Sequence, residues 1–269
     1  MALTYLSRRA FLGSAVAISA SASLAMSEKE SSRSVTYVGT AESIEVHRTE
    51  AGEKRKLQSL ASERPLSLTL DITGQYLFAV NEIGAFQGLP TGSVESYRIE
   101  PVTEHLSLIN RVPLSLSATM PKQLALSPDG RCLVVAVYGG GLYNVLPVGS
   151  NGEIGGVTQV IKEIGCSVNG HRQSSAHPHS VVFHPSGKFL FGTDEGADRI
   201  NLFRVDEGYM TCVHRVSTDP GTGPAGLAID SSGSHLAVEH AFSTSVGLYR
   251  FDSRSLKLTG FQNRLSRQR

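Results

Sequence analysis

Two histidines flank a proline at His177-Pro178-His179. The same unit goes on to Asp194-Glu195 and then Arg199, and Glu82 and Lys122 occupy corresponding places earlier in the chain. An imidazole titrating near about pH 6.5 takes a proton from water around neutrality, and a nearby cation holds a developing oxyanion. Those groups together suit ester or lactone hydrolysis. His177 is the candidate base. His179, Asp194, Glu195, Arg199 and Glu82 are candidates for orienting a histidine or binding substrate hydroxyls, and Arg199 and Lys122 are the candidate cations. No G-x-S-x-G nucleophile motif stands out, so water is expected as the nucleophile rather than a serine. Solvated loop histidines are the plain alternative. A metal held by His177, His179 and Asp194 is another, although the leading reading needs no metal and no cofactor. Tyr138-Gly139-Gly140-Gly141 reads as a tight loop more readily than as a phosphate cradle.

Placing these groups requires a repeating scaffold. Four segments align without gaps: PLSLTLDITGQYLFAVNE from Pro65, PKQLALSPDGRCLVVAVY from Pro121, PHSVVFHPSGKFLFGTDE from Pro178 and PAGLAIDSSGSHLAVEHA from Pro224. Each begins with proline and carries glycine nine residues later, at Gly74, Gly130, Gly187 and Gly233. The starts lie 56, 57 and 46 residues apart, a period that suits propeller blades. In each unit an apolar strand meets a glycine turn and returns as a second apolar strand. An alternating third strand follows (SVESYRIE, GLYNVLPV, RINLFRVD, SVGLYRFD), then a fainter fourth such as LSLINRVPL. Four antiparallel strands per unit predict an all-β fold, a β-propeller with about five of seven blades present.

The first two strands of a blade run antiparallel, so the start of one and the end of the other share a rim. The residues around the repeat proline and at the end of the second strand therefore converge there. At these places the units differ: Arg64, Met120, His177 and Gly223 precede the proline, and Leu66, Lys122, His179 and Ala225 follow it. The strand ends read Asn81-Glu82, Val137-Tyr138, Asp194-Glu195 and His240-Ala241. Positions that the scaffold does not hold constant are the candidates for a site. His184 falls at a hairpin turn on the opposite face and is read as structural.

Residues 35–62 supply the second, third and fourth strands of a first blade and leave its innermost strand missing. The chain stops after the outer strand of the fifth unit. An open arc exposes strand edges and an apolar blade face. Either the sequence is incomplete, which is the reading preferred, or a partner covers the open propeller edge.

The chain has 269 residues, 40% hydrophobic, with 25 Lys and Arg against 24 Asp and Glu. That balance, without a dense basic run interleaved with aromatics, gives no sign of a nucleic-acid partner. Residues 1–25 place Ser7-Arg8-Arg9 ahead of Phe11-Leu12 and a mildly apolar Ala/Ser segment. This is the layout of a twin-arginine export signal, predicting a periplasmic or secreted protein with no membrane association once the signal is removed. Residues 26–34 read as a linker, and 35–269 as the incomplete propeller. Cys132, Cys166 and Cys212 are too widely spaced for a disulfide framework or a zinc site.

The stretches YVGT at 37–40, VNE at 80–82, GSVESYRI at 92–99, PKQLALSPDGRCLVVAVYGGG at 121–141, HPHSVVFHPSGKFLFGTDEGADRI at 177–200 and GPAGLAIDSSGSHLAV at 223–238 resemble the seven-bladed propeller lactonases of the bacterial 6-phosphogluconolactonase type, which include carboxymuconate-cyclising enzymes. The resemblance covers nearly everything after residue 35. It implies a metal-free hydrolase of a small-molecule sugar lactone, using the first histidine of an HPH motif, an arginine in a GPRH segment and a glutamate in a following NE pair. His177 matches the first. The second falls on Ala225 and the third on Ala241, and an asparagine usual at the end of the third unit's second strand is Val137. The primary expectation is a lactonase. A propeller that has kept its scaffold and serves as a ligand- or protein-binding module is the alternative, and a poorly folding fragment is the third reading.

Overall fold

The computed structural model describes residues 5–7 and 34–263. Their strands form five four-stranded antiparallel sheets. The first contains β1 (Tyr5–Ser7), β2 (Ser34–Gly39), β3 (Ser43–Glu50) and β4 (Glu53–Ala61); the second β5 (Pro65–Leu70), β6 (Tyr76–Asn81), β7 (Ser93–Ile99) and β8 (Leu106–Pro113). The third contains β9 (Pro121–Leu126), β10 (Cys132–Val137), β11 (Leu142–Pro147) and β12 (Gln159–Lys162). The fourth runs through β13 (Pro178–Phe183), β14 (Phe189–Asp194), β15 (Arg199–Asp206) and β16 (Tyr209–Ser217), and the fifth through β17 (Pro224–Ile229), β18 (His235–His240), β19 (Val246–Asp252) and β20 (Lys257–Asn263). Strand order follows chain order within every sheet. The all-β propeller expected from the repeat is the fold observed.

Two backbone demands explain the repeated proline and glycine. Gly74, Gly130, Gly187 and Gly233 have φ of 67°, 74°, 73° and 75°, a region where a Cβ is strained. Each glycine N–H closes its turn on the residue three before it, at 3.1, 2.8, 2.8 and 3.0 Å. The proline opens the innermost strand, where a missing N–H is tolerated. The pairing register slips by one residue next to it in all four sheets. The residue after the proline (Leu66, Lys122, His179 or Ala225) is thus bulged out of the ladder. A bulge re-aims its side chain, which frees this position from the alternation that binds the rest of the strand.

The core lies between successive sheets. Leu68, Leu77 and Tyr97 of the second sheet pack on Tyr37 and Ile44 of the first, and Phe78 and Val94 pack on Leu133 and Val135 of the third. Tyr143 and Val145 meet Leu190 and Phe203 across the next interface, and Phe191 and Leu202 meet Val238 and Phe251 across the last. Each such side chain contributes about 1.5–3 kcal/mol by leaving water. Central strands are apolar on both faces because sheets cover both, as in the unbroken burial of Cys132–Val137.

The inner edge of the first sheet, expected to lack a strand, is instead paired. Tyr5–Ser7 runs antiparallel to Thr36–Val38. An open edge offers a row of unpaired N–H and C=O groups to any extended segment in reach. The expected export signal and linker otherwise lie outside the described residues.

Candidate active site

The bulged residues and the second member of each strand-end pair meet on one rim. Lys122, His179, Glu82, Tyr138 and Glu195 come together there from three sheets, with His177 beside them. Lys122 Nζ and Arg64 Nη2 both bond the Glu82 carboxylate, Arg64 at 2.5 Å. Lys122 Nζ also sits 5.3 Å from the centre of the Tyr138 ring, a cation–π arrangement.

His177 is held on every side. Its ring stacks on Tyr138 with centroids 4.3 Å apart and planes 10° from parallel. Its backbone N–H donates to Asp194 Oδ1 at 2.8 Å, and its carbonyl accepts from the Glu195 N–H at 3.0 Å. Nδ1 lies 2.9 Å from the Tyr138 carbonyl oxygen. A carbonyl only accepts, so Nδ1 carries a proton and the lone pair of the neutral ring is on Nε2. Gly196 permits this packing, since a Cβ there would stand 1.9 Å from the Ser175 carbonyl oxygen and 2.8 Å from His177 Cδ2.

Burial first, and then the charge of Lys122, push His179 down to about 4, against the opposing pull of a backbone bond at Ala225 and the charge of Glu82. His179 is therefore neutral at physiological pH. Its Nε2 stands 3.8 Å from Glu195 Oε2, too far for a hydrogen bond. The two rim carboxyls are driven apart. Burial raises Glu195, although the Tyr138 hydroxyl donates to it at 3.1 Å and His177, Lys122 and Arg172 oppose the rise. Burial also acts to raise Glu82, but the bonds and charges of Lys122 and Arg64 outweigh it and hold that carboxyl below its ordinary value. Paired carboxyls with opposite shifts provide one group suited to holding a proton and one that stays ionised.

Asp194 and Arg199 do not join this rim. Asp194 is 0% exposed, and both its oxygens are engaged: Oδ1 by the His177 and Ala197 N–H groups, Oδ2 by Arg199 Nη2 at 2.9 Å. Arg199 Nη2 also donates to Glu163 at 2.7 Å. These bonds suit the pair to position His177, a role that stands beside the substrate-binding one expected of it. The same tie recurs in other sheets with different chemistry. Ser93 donates to Asn81 Oδ1 at 2.9 Å in the second sheet, and Ser245 Oγ lies 3.0 Å from His240 Nδ1 in the fifth. In the third the pair is apolar, Val137 facing Leu142. Each fastens the end of a blade's second strand to the start of its third. The metal alternative loses its carboxylate for the same reason, and no group of three or more metal-ligating side chains is arranged to hold an ion among the described residues.

Three groups near the site carried little signal in the sequence. Tyr138, in what read as a tight loop, is both the stacking partner of His177 and the donor to Glu195. Arg172 lies on the long connection before His177, its guanidinium 5.1 Å from the Phe242 ring centre, and it opposes the rise of Glu195. Ser175, on the same connection, has Oγ 3.4 Å from His177 Nε2. The length of that irregular connection was the available hint.

On the fifth-sheet side the rim is bare. Ala225 contributes its carbonyl to Thr193 Oγ1 at 2.7 Å, and Ala241 presents a methyl group. His240 has a buried Nε2 with no hydrogen-bond partner. His184, on the opposite face, caps its own turn through Ser186 and packs against Phe189 and Phe251.

A family model for seven-bladed β-propeller lactonases matches residues 35–264. The periplasmic gluconolactonase of Pseudomonas aeruginosa is 31% identical and superposes with a TM-score of 0.77 over 86% of this chain and 68% of its own. A solved structure from Bacteroides fragilis superposes with a TM-score of 0.79 at 24% identity over 89% of this chain and 69% of its own, a likeness of fold. The 6-phosphogluconolactonase of Pectobacterium carotovorum is 28% identical over 85% of this chain and 64% of its own length. A Staphylococcus saprophyticus protein is 26% identical over 66% of this chain and 50% of its own length. The chain thus spans between half and two-thirds of these two curated relatives. With the repeat, the five sheets and the family match in agreement, the chain belongs to the seven-bladed β-propeller lactonase family.

Proposed function

We propose that this chain opens a sugar lactone by hydrolysis, with His177 as the general base. The observation that carries the reading is the fixed His177 tautomer: Nδ1 is committed to the Tyr138 carbonyl, leaving Nε2 to accept a proton from an attacking hydroxyl. Water is that hydroxyl in the simplest form of the reaction. The tetrahedral oxyanion is stabilised by Lys122. The ring-opening oxygen leaves as an alkoxide and takes its proton from His177 or from Glu195, whose carboxyl burial raises. Glu82 and neutral His179 bind substrate hydroxyls. Family membership and relatives named as lactonases support this chemistry.

A non-phosphorylated lactone outside the cytoplasm fits best. Arg8-Arg9 and the apolar segment after them support twin-arginine export, and a periplasmic family member supports that compartment. Cell fractionation tests it, since a protein found wholly in the cytoplasm rejects export.

The binding-module reading is kept for one specific reason. Ala225 and Ala241 stand where the family resemblance implies an arginine and a glutamate. Titration of gluconolactone hydrolysis separates the two. Turnover above the spontaneous rate, lost in His177→Ala, supports the lactonase. Sugar binding with no turnover supports the module, and a rate unchanged in His177→Ala rejects the role of that histidine.

A further inference from the structure

We infer that Ser175 and His177 form a nucleophile–base dyad, so that the first hydroxyl to attack is the Ser175 side chain and water enters only in the second step. This deepens the lactonase reading and, for lactones, rests on it. Ser175 is exposed, and its Oγ is 3.4 Å from His177 Nε2, the nitrogen that the Tyr138 carbonyl leaves basic. Serine, histidine and an orienting acceptor are the three parts that nucleophilic catalysis requires, and their spacing is commonly looser before substrate binds. The serine's place is fixed by its backbone, because the Gly196 main chain packs directly on the Ser175 carbonyl.

The two other histidine–serine contacts among the described residues show what is distinctive here. In His184–Ser186 and His240–Ser245 the contacting nitrogen is Nδ1, and the pair closes a local turn or strand end. In His177 alone Nδ1 is held by a carbonyl from another sheet while Nε2 meets the serine. A cavity of about 430 Å³ opens beside Ser175, bordered by Ser174, Gly139, Gly140, Gly141 and Lys162. It has room for a small acyl group, and the Lys162 ammonium on its wall is bonded to the Gly140 carbonyl.

The steps balance without a co-reactant. Ser175 Oγ–H gives its proton to His177 Nε2 as Oγ bonds the lactone carbonyl carbon. The ring carbon–oxygen bond then breaks, and the leaving oxygen takes that proton, giving a Ser175 ester of the opened hydroxy acid. Water next gives a proton to Nε2 and attacks the ester carbonyl. Ser175 Oγ leaves and recovers the proton.

The test uses the full chain with p-nitrophenyl acetate and, separately, a fluorophosphonate, read by intact-protein and peptide mass spectrometry. Gluconolactone hydrolysis is measured alongside, and far-UV circular dichroism checks that variants are folded. The dyad predicts a burst of p-nitrophenol, an acetyl or phosphonyl group on Ser175, and loss of both in Ser175→Ala and in His177→Ala. It also predicts that Ser175→Ala lowers kcat/KM for the lactone by roughly 100-fold or more. Absence of label in wild type, with lactone hydrolysis intact in Ser175→Ala, overturns the dyad and leaves the water mechanism in place. Labelled Ser175 with no lactone opened supports the dyad and overturns the lactone reading instead.

Discussion

Asp194→Ala separates a positioning carboxylate from one that touches substrate. The change removes the acceptor for the His177 and Ala197 N–H groups and one of the two carboxylates that face Arg199. Breaking a buried ion pair costs about 3–5 kcal/mol. Arg199 keeps its 2.7 Å bond to Glu163, so the cation is not left alone and the lower figure, about 3 kcal/mol, applies. Asp194→Asn keeps an oxygen for the backbone donors and loses the charge, an effect of about 1–2 kcal/mol. Urea unfolding followed by circular dichroism reads both. With a slope of about 3 kcal/mol/M for a chain of this size, the midpoint falls by about 1 M in the alanine variant and by about half that in the asparagine variant. Activity falls in kcat, because the His177 backbone shifts, with little change in KM. A midpoint within about 0.2 M of wild type together with a large rise in KM refutes the assignment, and Asp194 then binds substrate directly.

Three further outcomes follow from the geometry. The folded-state value of His179 is about 4 against 6.5 for the ordinary group, so the unfolded chain binds the extra proton as pH falls from 6.5 toward 4 and stability is lost across that window. After a discount for partial exposure the loss is about 2 kcal/mol, and His179→Gln removes that part of the pH dependence in urea titrations at successive pH values. Gly196→Ala forces a Cβ against the Ser175 carbonyl and His177 Cδ2, so kcat falls by more than about tenfold while the cooperative unfolding transition persists. Phe191→Ala empties a fully buried site whose ring is 4.9 Å from that of Phe251, and it destabilises by about 3–5 kcal/mol in the same unfolding assay without a change in KM.

The scaffold was legible because it repeats. Proline at the head of each innermost strand and glycine at each left-handed turn answer backbone demands that no tertiary contact can waive, so Pro178 and Gly187 mark their strand and turn in the sequence alone. The rim was legible in part. Lys122, His179, Glu82 and Glu195 stand out because these positions differ between units, and the structure shows how they share a rim: the post-proline residue is bulged from the ladder, and the second strand-end residue follows the last pair. The first strand-end residue varies equally in type, yet it has a constant task. Asn81, Asp194 and His240 each tie two strands together with whatever partner the third strand presents. Arg199 also bonds Glu163, and the place of that carboxylate beside it is a tertiary fact. Arg172 and Ser175 lie on a loop with no period, so only the fold brings them to His177, and Tyr138, although it stands at a strand end that varies between units, shows its stacking on His177 only in the fold.

The most direct test of the account is the rate of gluconolactone opening in a pH-stat, wild type against His177→Gln, with Asp194→Asn as a folded control. The account predicts turnover above the spontaneous rate in wild type and a drop of roughly 100-fold or more in His177→Gln. The Asp194→Asn loss should be smaller and confined to kcat. Equal rates in wild type and His177→Gln would contradict it, because the one nitrogen that the rim orients as a base would then take no part in the reaction.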